Sequence, residues 1–207
     1  MKFAEKYIVG VDEAGRGPLA GPVSVGVFSA ENKMRSWLLK NIFNNRLRDS
    51  KKLNPKKREE MYKKFVKLKK SGKINFQISH ISSKIIDKVG ISKSIKIGIS
   101  KSLTKLHSFY DRKNSVKIEI KLDGLLKAPK EYNQKTIIKG DEKDVFIACA
   151  SIVAKVSRDR LMCRLAKKYP KYKFEIHKGY GTLLHRTLLQ KYGLSPLHRK
   201  SFCQNLQ

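Results

Sequence analysis

Two runs rich in β-branched residues, Tyr7–Asp12 (YIVGVD) and Val23–Phe28 (VSVGVF), bracket a ten-residue segment, EAGRGPLAGP, that glycine and proline keep out of regular structure. The first run reads as a buried strand and the second alternates as another. A connection this short makes an antiparallel pair the expected arrangement. The acids Asp12 and Glu13 fall where the first strand gives way to the loop.

The remaining elements follow from spacing. Trp37–Phe43 is a short helical candidate. Asn54 and Pro55 open a strong one, with Asn54 as N-cap, Pro55 at the first position and Met61, Phe65 and Leu68 on one face. Ile74–Ile81 alternates as a third strand. Ile85–Tyr110 reads as mostly helical, with Ile95, Ile99, Leu103 and Leu106 facing inward. Val116–Leu122 alternates strictly and ends at Asp123-Gly124, and Thr136–Ile138 is expected as a last short strand. From Val145 to Tyr169 a helix carries a small face, Ala148, Ala150, Ser151 and Ala154, suited to lying close on a sheet. Thr182–Tyr192 is a further helix, and Ser195–Phe202 reads as a loop-like tail with exposed basic residues. The order predicts an α/β fold: a mixed sheet flanked by helices, with a helical C-terminal region. With no repeat, low-complexity tract or linker in sight, one domain over residues 1–207 is expected.

Lys and Arg number 47 against 17 Asp and Glu, a formal net charge of +30. Such an excess attracts polyanions, nucleic acid first among them. An AT-rich coding sequence would account for the lysines better than for the scarcity of acids. Charge alone does not separate a non-catalytic RNA-binding protein from an enzyme. No apolar run approaches the roughly 20 residues that span a bilayer, and Met1–Tyr7 lacks the apolar core of a signal peptide. A cytoplasmic protein is expected. Cys149, Cys163 and Cys203 are odd in number and widely spaced, and the five histidines are scattered. Neither pattern favours disulfides or zinc, and the thiols read as small packing residues.

In a chain so poor in acids, those at strand ends invite comparison. Asp12-Glu13 ends the first strand, Asp123 ends VKIEIKLD, and Asp141 follows the short strand before the small-faced helix. A strand-end Asp is commonly a turn former or helix cap, and Asp141 could cap the helix that begins near Val145. Alternatively, the three segments converge on one sheet edge. The acids would then repel one another unless cations sat among them, and an all-oxygen set suits Mg²⁺ or Mn²⁺. Two such ions can activate water and stabilise the leaving oxygen in phosphodiester cleavage.

The segment GVDEAGRGPLAGPV (Gly10–Val23) closely resembles the signature of the type 2 ribonuclease H (ribonuclease HII) family. Further blocks match in the same order: RDSKKL, LDG, KGD, ASIVAKVSRD, HKGYGT and HRKSF. The resemblance runs nearly end to end. It implies a ribonuclease H-like core over about residues 1–170 and a helical, substrate-contacting portion over about 171–207. It also implies Mg²⁺- or Mn²⁺-dependent cleavage of the RNA strand of RNA–DNA hybrids, with two ions per site. Single ribonucleotides in duplex DNA would be incised on their 5′ side, leaving a 3′-hydroxyl and a 5′-phosphate.

By motif position the resemblance makes Asp12, Glu13, Asp123 and Asp141 the metal-binding catalytic carboxylates. It makes Gly15, Arg16 and Gly17 the loop that reads the ribonucleotide, since glycines let backbone groups approach a 2′-hydroxyl. Arg16 could equally be a phosphate clamp or an ion-pair partner. Tyr180 matches a tyrosine that stacks on the ribose at the RNA–DNA junction. Ser50 and Lys51 match a phosphate-holding block, with Asp49 orienting that loop. His198 and Arg199 could support the site, contact phosphate or simply pack. Cys149 stands where an Ala is common, Gly90 where an Asn is usual, and GLLKAPKEY after Asp123 is less typical. Expected partners are RNA–DNA hybrid and ribonucleotide-containing duplex DNA, with no membrane, and the expected state is a monomer. Another ribonuclease H-like nuclease, of the junction-resolvase type, and a non-catalytic basic RNA-binding protein are the rival readings.

Overall fold

The structure is a computed structural model that describes residues 5–47, 53–110 and 116–204. Five strands, β1 (Glu5–Ala14), β2 (Val23–Glu31), β3 (Ile74–Ile81), β4 (Val116–Asp123) and β5 (Gln134–Ile137), form one sheet in the order β3-β2-β1-β4-β5. The β1–β2 and β2–β3 pairs are antiparallel, while β1–β4 and β4–β5 are parallel, giving the mixed sheet expected. Around it lie α1 (Met34–Phe43), α2 (Pro55–Lys70), α3 (Ser83–Val89), α4 (Ile91–Tyr110), α5 (Gly140–Lys143), α6 (Val145–Lys168), α7 (Phe174–His177) and α8 (Leu183–Tyr192). Short 3-10 turns follow at Pro170–Tyr172 and Lys200–Phe202. Among the described residues no helix is long and apolar enough to cross a membrane.

Alternation along β1 decides which helices cover which face. Tyr7, Val9 and Val11 join Val23, Val25 and Val27 in a core with Ile95, Ile99, Leu103 and Leu106 of α4. Ile8 faces the other way, with Phe28, Phe65 of α2 and Phe146, Ala150 and Val153 of α6. Asp12 shares the parity of Ile8 and therefore meets α6. That helix lies unusually close. A Cβ on Gly10 would overlap the Phe146 carbonyl, and one on Gly26, which pairs with Asp12 across β1–β2, would overlap the backbone of Ala150 and Ala154. Mid-strand glycine normally weakens a sheet; here it admits a helix backbone and carries Ser151 of α6 to Asp12.

Three local expectations need correction. The helical stretch from Ile85 breaks at Gly90, whose φ of 78° is left-handed, into α3 and α4. Asp141 does not cap α6: Asp144 does, accepting from the Phe146 N–H at 2.9 Å while pairing with Arg35 at 2.8 Å and Lys121 at 2.9 Å. The tail is not a run of exposed basic residues. His198 forms an isolated bridge with Ala20, and both His198 and Arg199 are buried. The signal missed was hydrogen-bonding demand, because the tail answers backbone carbonyls of the glycine loop.

Candidate active site

Asp12 and Asp123 leave neighbouring parallel strands at the same, carboxyl end; Val11 pairs with Leu122, one residue before each acid. Ligand clefts in α/β sheets form at such ends. β5 runs parallel beside β4 and delivers Asp141 at the first turn of α5. Asp12, Glu13, Asp123 and Asp141 all line one cleft of about 460 Å³, together with Gly15, Arg16, Gly17, Arg58, Ser151, Lys155 and Tyr180. Eight of the ten residues singled out from the sequence are thus in one place. The other two, Ser50 and Lys51, lie outside the described residues, as does Asp49.

Asp12, Glu13 and Asp123 each have a local donor. Asp12 Oδ1 accepts the Glu13 N–H at 2.7 Å, and Ser151 adds a side-chain hydrogen bond. Glu13 faces Arg16 across 3.4 Å, so Arg16 is the ion-pair partner the sequence left open. Asp123 Oδ1 accepts the Gly140 N–H at 2.6 Å, which ties the end of β4 to the start of α5. Among the described residues no three acid, His or Cys side chains close on a common point as a finished metal shell. All four acids share a cleft, with Asp12, Glu13 and Asp123 each turned to its own donor.

The electrostatics favour a cation all the same. Burial pushes the Asp12 carboxyl well above the usual range, and the charges of Glu13 and Asp123 push it further. Burial also raises Glu13, against the pull of Arg16. A divalent ion would relieve both effects. The lining offers carboxylate and hydroxyl oxygens and no His or Cys, a donor set for a hard cation such as Mg²⁺ or Mn²⁺. The residues present fit such ions.

The glycine loop is braced from beneath by two fully buried arginines. Arg199 donates to the carbonyls of Gly15 (2.6 Å), Arg16 (2.8 Å) and Gly21 (3.0 Å). Arg158, on α6, donates to those of Pro22 (2.9 Å) and Ala20 (3.2 Å). Burial, reinforced by the neighbouring Arg158, lowers Arg199 to about 10, still charged at neutral pH. His198 and Arg199 therefore support the loop from inside and have no access to phosphate. Arg158, Ser151, Arg58 and Lys155 were missed as site residues in the sequence. The ASIVAKVSRD block contained three of them but read as a packing helix.

Tyr180 stands half-exposed on the cleft rim, its ring 5.2 Å from Lys155 Nζ and 5.5 Å from the Arg158 guanidinium carbon. Its backbone is held by a histidine relay. The Ser195 N–H donates to His198 Nδ1 at 2.8 Å, so the proton of a neutral His198 is on Nε2 and points at His185 Nε2, 3.0 Å away. His185 Nδ1–H is then left to donate to the Tyr180 carbonyl at 2.9 Å. The chain works only with both rings neutral, and burial lowers each to about 4. The unfolded chain, with histidines near 6.5, takes up protons first as pH falls, so stability rises with pH between about 4 and 6.5. Urea unfolding at pH 7 and pH 4.5 is expected to show a loss on the order of 2 kcal/mol per histidine. An unchanged midpoint would contradict the relay.

A family model described as Ribonuclease HII matches residues 9–205. A ribonuclease HII of Caldicellulosiruptor bescii is 42% identical over 204 residues, covering 97% of this chain and 88% of that protein. Among solved structures, the PCNA:RNase HII complex from Archaeoglobus fulgidus matches with a TM-score of 0.71 at 22% identity, covering 97% of this chain and 96% of that one. Bst-RNase HIII in complex with Mn²⁺ matches with a TM-score of 0.72 at 15% identity, covering 96% of this chain and 67% of that one. At such identities these two likenesses speak to the ribonuclease H-like fold alone.

Proposed function

This chain belongs to the ribonuclease HII family of metal-dependent endoribonucleases, and we propose that it cuts at the ridge formed by Asp12, Glu13, Asp123 and Asp141. The family's reaction is cleavage of RNA in RNA–DNA hybrids and at ribonucleotides embedded in DNA. The observation that carries the assignment is the meeting of these acids, from three separate segments, in one cleft with the Gly15–Gly17 loop and Tyr180.

In this reading Asp12, Glu13, Asp123 and Asp141 hold two divalent ions, Mg²⁺ or Mn²⁺. Bound there, such ions supply the charge that activates a water and offsets the charge developing on the departing 3′-oxygen. The protein's own groups do the rest. Ser151 and the Glu13 N–H orient Asp12, and the Gly140 N–H orients Asp123. The backbone of Gly15–Gly17, fixed by Arg199, is placed to meet the 2′-hydroxyl of a ribose. The Tyr180 ring packs on that sugar, while Arg58 and Lys155 on the same walls attract the phosphates. By the family resemblance, Ser50 and Lys51 would add phosphate contacts.

Mapping the ends produced from a DNA duplex with one ribonucleotide tests this. A single incision 5′ of the ribonucleotide, leaving a 3′-hydroxyl and a 5′-phosphate, is expected with Mg²⁺ or Mn²⁺. Cutting of branched all-DNA would instead favour the resolvase-type reading. Replacing Tyr180 by Ala should lower kcat/KM at the junction by about tenfold, the scale of one stacking contact, with duplex affinity nearly unchanged. Equal losses in both would make Tyr180 a packing residue.

A further inference from the structure

The acid ridge has a second side. Glu13, Arg16 and Asp123 also border a separate cavity of about 320 Å³ on the α4 face of the sheet, large enough for a nucleotide-sized group. Its lining also includes Lys96 from α4 and Leu125 and Lys127 from the segment after Asp123. Among the described residues neither lysine is within ion-pair distance of an acid. Lys96, Lys127 and Arg16 give three positive charges against the two acids of the ridge.

Hydrogen bonds hold the backbone that carries Leu125 and Lys127. The Gly124 N–H donates to the Ile137 carbonyl at 2.9 Å, Leu126 N–H to the Asp123 carbonyl at 3.1 Å, and Ala128 N–H to Gln134 Oε1 at 2.8 Å. Leu126 and Ala128 are turned into the core between exposed neighbours, leaving Leu125 88% exposed at the mouth of the cavity. An exposed leucine alone is ordinary. This one lines the same cavity as Lys96 and Lys127, one residue beyond the Asp123-Gly124 turn. The segment after Asp123, which carries Leu125 and Lys127, is also less typical of the family motifs.

We infer that this cavity is a second nucleotide subsite, in which Lys96 and Lys127 hold the phosphate of the unit next to the cut and Leu125 packs against its sugar or base. The strand then passes over the ridge, with the ribose on the Tyr180 side and its neighbour on the Lys96 side. The inference rests on the ridge being the cutting centre.

The test uses the whole protein, a duplex with one ribonucleotide, and two further duplexes whose cleaved strand ends next to the cut, one on each side. Lys96→Ala and Lys127→Ala are expected to raise KM about tenfold each, with kcat nearly unchanged, and to lower the salt slope of log KM by about 0.9 per lysine. Leu125→Ala should raise KM about threefold, as for one lost aliphatic contact, and leave the melting temperature unchanged. Lys101→Ala, on the same helix but outside this cavity, is the control for general charge. On one of the two shortened duplexes, and only one, the lysine variants should match wild type. Lysine variants indistinguishable from Lys101→Ala, or equally impaired on both shortened duplexes, would overturn the subsite. Failure of the cutting-centre assignment would show separately, as wild-type incision at the wrong position in the full duplex.

Discussion

Replacing Asp12 by Asn is expected to abolish cleavage and, in the metal-free protein, to raise the melting temperature. The two effects have one cause. Asp12 is buried beside Glu13 and Asp123, so its folded-state pKa is raised. A carboxyl raised on folding contributes stability below its unfolded pKa and loses it as pH rises through the folded value. At neutral pH without cations the charged cluster therefore opposes folding, and Asn removes one charge while keeping the shape. A gain of about 1 kcal/mol would appear as about 2–4 °C in a chain of this size. Activity should fall by about 10³-fold or more, because several kcal/mol of transition-state charge stabilisation depend on the ions these acids hold. Thermal melts in EDTA and single-ribonucleotide cleavage assays, run on the same preparation, check both. A variant that loses stability along with activity would mark Asp12 as structural.

The glycine loop gives the second large effect, through a contrast between two residues. Gly15 has φ +88°, and a Cβ there would overlap the Arg158 side chain, so Gly15→Ala strains both the backbone and the brace below it. Loss of folding stability by about 2–3 kcal/mol or more is expected along with loss of activity. Gly17 is different: its backbone is not left-handed, and a Cβ there meets nothing within 4 Å. Nothing in the fold requires glycine at position 17. If the loop must approach a sugar closely, Gly17→Ala should fold with wild-type stability and still lose about tenfold or more in cleavage, the scale of one lost 2′-hydroxyl contact. Wild-type cleavage by Gly17→Ala would remove that side of the loop from substrate recognition.

The strands and most helices could be read from the sequence because their apolar residues repeat with the period of the element they form. The Met61–Phe65 face and the Ile95–Leu106 face pack where periodicity put them. Asp12, Glu13 and Asp123 stood out because strand ends are legible and acids are rare in this chain. Their parallel register was not, since no local pattern says that β4 pairs beside β1. The choice between a basic binder and an enzyme was likewise beyond charge; it followed from motif identity and is now carried by the family match. The buried network was hidden for a different reason. Arg158, Arg199, His185 and His198 are polar residues whose sequence context resembles a surface, and only the carbonyls they serve explain their burial. Gly10 and Gly26 carry no local signal of their role, which depends on a helix more than a hundred residues away.

The assignment of the four acids as the metal site is tested most directly by titrating Mn²⁺ into wild type, Asp12→Asn and Asp123→Asn while following free Mn²⁺ by electron paramagnetic resonance. A formal charge of +30 discourages stray cation binding, so uptake at the cleft stands on a low background. Wild type is expected to take up two ions, with at least one lost or weakened by about tenfold or more in each variant, as when an oxygen that touches the ion is removed from a divalent site. Binding of Mn²⁺ by Asp12→Asn and Asp123→Asn with wild-type stoichiometry and affinity would contradict it.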